Sequence, residues 1–168
     1  RSSDLNPTEF VLVVNSDNFI DGDGYKDAII GAKEIAKKGV IAAVGVKPEY
    51  QAKNLGYIKR DGNDVIKILS NVDFDDATSE IADCYSYEEG YLWNSGILVF
   101  RAGDMVNITR KKCPELYTAC RTAKRKVPAI RRAIRFSENV MKDIVTGSIE
   151  TLVLEHCDNL KVVEADIL

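Results

Sequence analysis

The sequence predicts an α/β fold in three layers, with helices on both faces of a mixed sheet. Residues 9–15 (Glu-Phe-Val-Leu-Val-Val-Asn) and 40–46 are continuous apolar, β-branched runs of strand length, the pattern of strands buried on both faces of a parallel sheet. Between them, Ala28, Ile29, Ala32, Ile35 and Ala36 recur at helical spacing. Such a strand, helix, strand unit almost always closes as a right-handed parallel crossover.

Each element follows from local chemistry. Strand 10–15 leads into a loop over 16–24. The helix over 25–38 has Asp23 as its N-cap and Gly39 as its stop. After strand 40–46 and Lys47-Pro48, two strand-like runs at 56–60 and 64–69 flank Asp61-Gly62, the signal of a hairpin turn. A short helix is expected over 75–85 and a strong strand over 91–100. Helical patterns cover 103–126 and 128–145, and Pro114 inside the first predicts a break or a new helix start. A last strand spans 160–163. No linker interrupts residues 1–168, so one domain is expected.

The 168 residues are 45% hydrophobic and 29% charged with four prolines, a globular composition. No repeat or low-complexity tract occurs, and no apolar run approaches the roughly 20 residues that span a bilayer. Arg1-Ser-Ser-Asp4 has neither an initiator methionine nor a signal pattern, so the start reads as the edge of a longer chain. A cytoplasmic location is expected. Cys84, Cys113, Cys120 and Cys157 show no metal or redox spacing and read as reduced thiols; His156 has no evident catalytic partner. Residues 110–135 hold ten Lys or Arg and one acid, leaving about −12 on the rest of a chain whose net charge is −3. That segment reads as a solvated helix face rather than a nucleic-acid surface, because aromatics beyond Tyr117 are absent.

Three places carry candidate chemistry. Asp17 lies just past the carboxyl end of the first strand, where open parallel sheets collect ligands. A carboxylate there either holds Mg²⁺, which favours oxygen ligands and substrate phosphates, or caps the loop with Asn18. Asn94-Ser95-Gly96 interrupts an otherwise apolar strand: Gly96 marks a bulge or a close ligand approach, and Asn94 offers a donor and an acceptor to sugar hydroxyls. A local kink with Asn94 bonded to backbone is the alternative. Gly56-Tyr57 at a strand start admits a ligand or forms a turn.

The segments Val-Asn-Ser-Asp-Asn (14–18), Gly-Val-Ile-Ala-Ala-Val-Gly-Val-Lys-Pro (39–48), Leu-Gly-Tyr-Ile (55–58), Gly-Tyr-Leu-Trp-Asn-Ser-Gly-Ile-Leu-Val-Phe-Arg-Ala (90–102) and Gly-Ser-Ile-Glu-Thr-Leu-Val-Leu-Glu (147–155) resemble, in order and spacing, bacterial mannose-1-phosphate guanylyltransferases among the sugar-phosphate nucleotidyltransferases. The resemblance implies a Rossmann-like, GT-A-like mixed sheet, of which this chain is a partial domain. It implies attack by a sugar-1-phosphate oxygen on the α-phosphorus of a nucleoside triphosphate, GTP by resemblance, with Mg²⁺ and release of pyrophosphate. Asp17 then matches the catalytic, metal-binding aspartate. Gly56, Tyr57, Asn94, Ser95, Gly96 and Glu150 fall on the sugar side.

There are departures. Residues 1–10 lack the family's glycine-rich loop with its Arg, and Asp166 does not replace its second metal-binding aspartate. The family's Glu-Lys-Pro is Ser70-Asn71-Val72 here, its Ser-Ile-Asp-Tyr is Ser148-Ile149-Glu150-Thr151, and its histidine is Asn18. Loss of that lysine removes a point charge suited to phosphate. The chain by itself is therefore expected to be inactive. A regulatory or sugar-phosphate-binding module is the alternative function, followed by an anion or nucleic-acid binder; a homo-oligomer is left open.

Overall fold

The computed structural model describes residues 5–16, 24–50, 52, 55–70, 90–125, 136, 138–142 and 144–165. Within them the chain runs β1 (Phe10–Val13), α1 (Gly24–Ala36), β2 (Ile41–Val46), β3 (Tyr57–Asp61), β4 (Asp64–Leu69) and β5 (Tyr91–Arg101). It continues through α2 (Ala102–Lys112), α3 (Pro114–Arg125), α4 (Glu138–Met141), α5 (Ile149–Leu152), a 3-10 turn (Leu154–His156) and β6 (Leu160–Ala165). The expected helix over 75–85, most of that over 128–145 and the proposed cap Asp23 lie outside the described residues.

All six strands form one sheet in the order β1-β5-β2-β6-β4-β3, with β3 returning to pair β5. The pairing of β2 with β6 is parallel and the others are antiparallel, so the mixed sheet expected from the sequence is present. β1 and β2 run in the same sense, since each is antiparallel to β5, but β5 lies between them. One expectation fails here: among the described residues β1 is an edge strand, not one buried on both faces. Its residues alternate between exposed and half-buried, because Val11 and Val13 pack on the core while Phe10 and Leu12 face outward.

Helices cover both faces. On one, α1 turns Ala28, Ala32 and Ala36, four residues apart, onto Ala42, Val44, Ile97 and Val99. Side chains this small let the helix lie close to the sheet, and Gly31 extends the approach: a Cβ there would sit 3.5 Å from Val163. The other face buries Ile41, Leu92, Leu98, Phe100 and Val162 beneath Met105 of α2 and Val153 and Leu154. Alternate residues of β5 serve the two cores, Ile97 and Val99 facing α1 while Leu98 and Phe100 face α2.

Local signals hold where they are local. Gly39 stops α1 with φ 83°. Pro114 opens α3 directly after Cys113 ends α2, the position where its missing N–H costs nothing. The hairpin forms one residue later than the sequence suggested, with Asp61 paired to Asp64 and Gly62-Asn63 as the turn. Asn63 then docks the hairpin on β6: its Nδ2 donates to the Val162 carbonyl at 2.7 Å, and its carbonyl accepts from Val162 N at 2.8 Å. Arg60 pairs with Glu164 and Lys161 with Asp64 across the same junction. No helix among the described residues is long and apolar enough to cross a membrane.

Gly45 of β2 tests the closeness of this packing. A Cβ there would lie 2.9 Å from Leu92 Cβ and 3.0 Å from Val162 Cγ2. Gly45→Ala is expected to destabilise the fold by about 1–3 kcal/mol through overpacking in urea unfolding. Ile66→Thr, at a position 60% exposed, should stay within about 0.5 kcal/mol.

Candidate functional site

On one edge β5 pairs with β2. On its other edge β5 pairs with two strands placed end to end: β1 as far as Val13 opposite Leu98, and β3 from Tyr57 opposite Trp93. Residues 94–97 of β5 fall between them. The chain leaving β1 at Asn15 and the chain entering β3 at Gly56 converge on that interval, and Asn94 N donates to the Gly56 carbonyl at 2.8 Å.

The same interval is bulged on the β2 side. While β2 advances from Ala43 to Gly45, β5 runs from Leu98 back to Asn94, two residues more. An excess of two keeps the alternation of faces, so both cores continue past the bulge. Ser95 repairs the ladder: its Oγ donates to the Val44 carbonyl at 2.6 Å and accepts from Ile97 N at 3.2 Å. Gly96 sits at φ 73°, and its N–H donates to Asn94 Oδ1 at 3.1 Å. A Cβ on Gly96 would come within 2.3 Å of Asn15 Nδ2, so left-handed backbone and close packing both require glycine.

Around this interval opens a cleft of about 710 Å³. Asn15 stands at the end of β1, Leu55 and Gly56 at the mouth of β3, Ser70 at the end of β4, and Asn94 and Gly96 on β5. Gly147, Ser148, Glu150 and Thr151 form the facing wall. That wall is organised by an N-cap: Ser148 Oγ accepts from Thr151 N at 3.2 Å, and Thr151 Oγ1 donates to the Ser148 carbonyl at 3.2 Å. Gly147 is held tightly, since a Cβ there would meet Leu152 Cγ at 2.8 Å. Ser70 Oγ donates to Glu155 Oε1 at 2.8 Å and fastens the end of β4 to the 3-10 turn.

The lining is amide, hydroxyl, backbone and one carboxylate, Glu150; no Lys or Arg lines the cleft among the described residues. Such a surface presents both donors and acceptors and suits a ligand rich in hydroxyls. Because Asn94 Oδ1 is engaged by Gly96, it is the amide NH₂ of Asn94 that is left to donate.

Four of the sequence candidates meet here: Gly56, Asn94, Gly96 and Glu150. Two others support the site from behind. Tyr57 is fully buried, its hydroxyl accepting from Ala52 N at 3.1 Å, and Ser95 is spent on the bulge. Asp17 lies outside the described residues, as do Asn18, Asn71, Val72 and Asp166. Asn15, Ser70, Ser148 and Thr151 were not singled out from sequence as ligand-facing. Ser148 had a local signal, an N-cap residue three before Thr151; Asn15 and Ser70 had only their places directly after apolar strands.

Comparison with known proteins extends the geometry. The nucleotidyl transferase family model matches residues 2–134. The chain is similar to mannose-1-phosphate guanylyltransferase RfbM of Salmonella typhimurium, 28% identical over 94% of this chain and 33% of that protein. It is likewise similar to mannose-1-phosphate guanylyltransferase 2 of Escherichia coli O157:H7, 30% identical over 96% of this chain and 36% of that one. The chain therefore spans about a third of the length of these curated relatives. Its fold is shared with mannose-6-phosphate isomerase from Helicobacter pylori, at a TM-score of 0.87 and 24% identity over 98% of this chain and 65% of that one. It is shared also with mannose-1-phosphate geranyltransferase from Thermus thermophilus, at a TM-score of 0.77 and 22% identity over 95% of this chain and 45% of that one.

Two glycines separate backbone strain from packing at the cleft. Gly62 has φ 57° with nothing within 4 Å of an added Cβ, whereas Gly96 has φ 73° and meets Asn15. Gly62→Ala is expected to lose about 1–2 kcal/mol, the cost of left-handed backbone. Gly96→Ala should lose more in the same thermal melts; equal losses would remove the Asn15 contact from the account.

Proposed function

We propose, from the premise that the chain belongs to the nucleotidyl transferase family, that it supplies the sugar-phosphate side of a nucleotidyl transfer. In that reaction an oxygen of a sugar-1-phosphate attacks the α-phosphorus of a nucleoside triphosphate and pyrophosphate leaves. The observation that carries the reading is the convergence of Gly56, Asn94, Gly96 and Glu150 in one hydroxyl-matching cleft. The names of the relatives point to mannose-1-phosphate as the sugar and, by resemblance, to GTP as the nucleotide.

The chain's own part is positioning. Asn94 donates to a ring hydroxyl beside the Gly56 and Gly96 backbones, which line the same cleft. Glu150 accepts from a second hydroxyl. Holding the sugar phosphate in one orientation converts encounter into reaction at fixed geometry, a large share of the acceleration available to a transfer without a covalent intermediate. The donor set is compatible with Mg²⁺, because the cleft offers only oxygen among its anionic and neutral ligand atoms suited to a hard cation. Glu150 is left to the sugar hydroxyl, and Asp17 would hold the ion. Bound there it would neutralise phosphate charge.

A second reading, a sugar-phosphate-binding module without turnover, draws support from Ser70. It stands where the family resemblance calls for the glutamate of Glu-Lys-Pro, and it is engaged with Glu155.

Two measurements decide between them. The 168-residue chain, given GTP, mannose-1-phosphate and Mg²⁺, is expected to make no GDP-mannose, because residues 1–10 hold no glycine-rich loop; steady pyrophosphate release by the pure chain would overturn that division of labour. In calorimetric titrations Asn94→Ala should weaken mannose-1-phosphate binding by about 1–3 kcal/mol, the scale of a lost buried hydrogen-bond partner. Identical isotherms for the two proteins would remove Asn94 from the site.

A further inference from the structure

Cys113 and Cys157 are 44 positions apart in the chain and meet at one junction of the fold. Cys113 ends α2 just before Pro114, and Cys157 follows the 3-10 turn. The Cys113 thiol donates to the Leu152 carbonyl, and the Cys157 thiol donates to the next carbonyl, that of Val153, at 3.1 Å. Both side chains pack on the same apolar cluster. One residue from each, Lys112 Nζ and Asp158 Oδ2 stand 2.5 Å apart and clamp the two segments together. A cavity of about 260 Å³, bounded by Cys113, Pro114, Leu116 and Leu152, opens a route for a small oxidant.

We propose that Cys113 and Cys157 are a dithiol that a peroxide closes to an intrachain disulfide, and that closure reshapes the cleft wall over residues 147–151. The Cys113 thiolate attacks one peroxide oxygen, the O–O bond breaks, and hydroxide leaves to take up a proton as water. Cys157 sulfur then attacks the Cys113 sulfenic sulfur: the S–S bond forms, the S–O bond breaks, and the hydroxyl leaves with the Cys157 proton as a second water. Both thiols are oxidised by one electron each and the peroxide is reduced by two.

The order of attack follows from access and charge. Burial first, and the neighbouring Cys113 second, push the Cys157 thiol up to about 11, with the Lys112 ammonium opposing and the Asp158 carboxylate reinforcing. Cys157 therefore stays protonated at neutral pH, and Cys113 on the cavity reacts first. The thiolate fraction of Cys157 limits the second step, which should quicken as pH rises toward that value. A disulfide sulfur has no proton to donate. Closure thus withdraws a donor from the carbonyls of Leu152 and Val153, which terminate the short helix bearing Glu150 and Thr151. The disulfide does not depend on the function proposed above; only its effect on ligand binding rests on that reading.

The test uses the whole chain treated with hydrogen peroxide and mapped by mass spectrometry after proteolysis. A linked peptide pair joining Cys113 to Cys157, two of the four thiols lost, and recovery with dithiothreitol are expected. Cys113→Ser and Cys157→Ser should abolish the link, and Cys120→Ser should leave it intact. All thiols surviving, a link through Cys84 or Cys120 instead, or over-oxidised Cys113 with no link would each overturn the pair. In the fully linked protein the mannose-1-phosphate isotherm should weaken several-fold, with Cys113→Ser unaffected by the same treatment. An unchanged isotherm in linked protein that binds normally when reduced would overturn the coupling, while failure of the reduced protein to bind would indict the functional reading and leave the disulfide standing.

Discussion

One edge of β5 has to accept two strands placed end to end. β1 and β3 both run antiparallel to β5 on the same side, and neither covers residues 94–97. An uncovered stretch in the middle of a core strand leaves backbone polar groups without their ladder partners, which folded chains do not tolerate. On that edge Asn94 N finds the Gly56 carbonyl, and on the opposite edge, toward β2, a two-residue bulge in the same interval satisfies its own polar groups: Ser95 bonds the Val44 carbonyl, and Asn94 accepts from Gly96 N. The cleft is the space that remains once those bonds are made.

This constraint explains why cleft-lining groups and structural groups are interleaved along one strand. Asn94, Ser95 and Gly96 are consecutive, yet Asn94 and Gly96 line the cleft while Ser95 closes the sheet behind it. Removing the Ser95 hydroxyl would take away its bond to the Val44 carbonyl, so damage there would reach the cleft through displaced backbone. Tyr57 plays a similar part on the next strand, anchoring the start of β3 by its hydroxyl at Ala52. Rigid neighbours of this kind make a hydroxyl reader precise, since an error of even an ångström in donor position forfeits most of a hydrogen bond.

What the sequence made legible was what depends on a few adjacent residues. Gly39 and Pro114 announce a helix stop and a helix start through backbone geometry, Asp61-Gly62 announces the hairpin to within one residue, and the apolar run over 91–100 announces a strand. Strand order depends on contacts far apart in sequence, which is why β1, whose apolar run reads as central, sits at an edge among the described residues. The cleft divides the same way. Asn94 and Gly96 stood out because a polar triplet inside an apolar strand needs a reason. Asn15 and Ser70 did not, because their role arises only where the ends of β1 and β4 arrive beside β5 and the Ser148 turn.

The electrostatics of the cleft place a further demand on the chemistry. Its described lining holds a carboxylate and no cation, so a phosphate brought into it would face Glu150 without a compensating charge. On the proposed function, a sugar phosphate would enter with its hydroxyls toward Asn94 and Glu150 and its phosphate directed away from that carboxylate. Such an arrangement divides binding from reaction. On that function the hydroxyl contacts would be made equally in the ground and transition states and would hold the ring, while stabilisation specific to the transition state would act at the phosphate end.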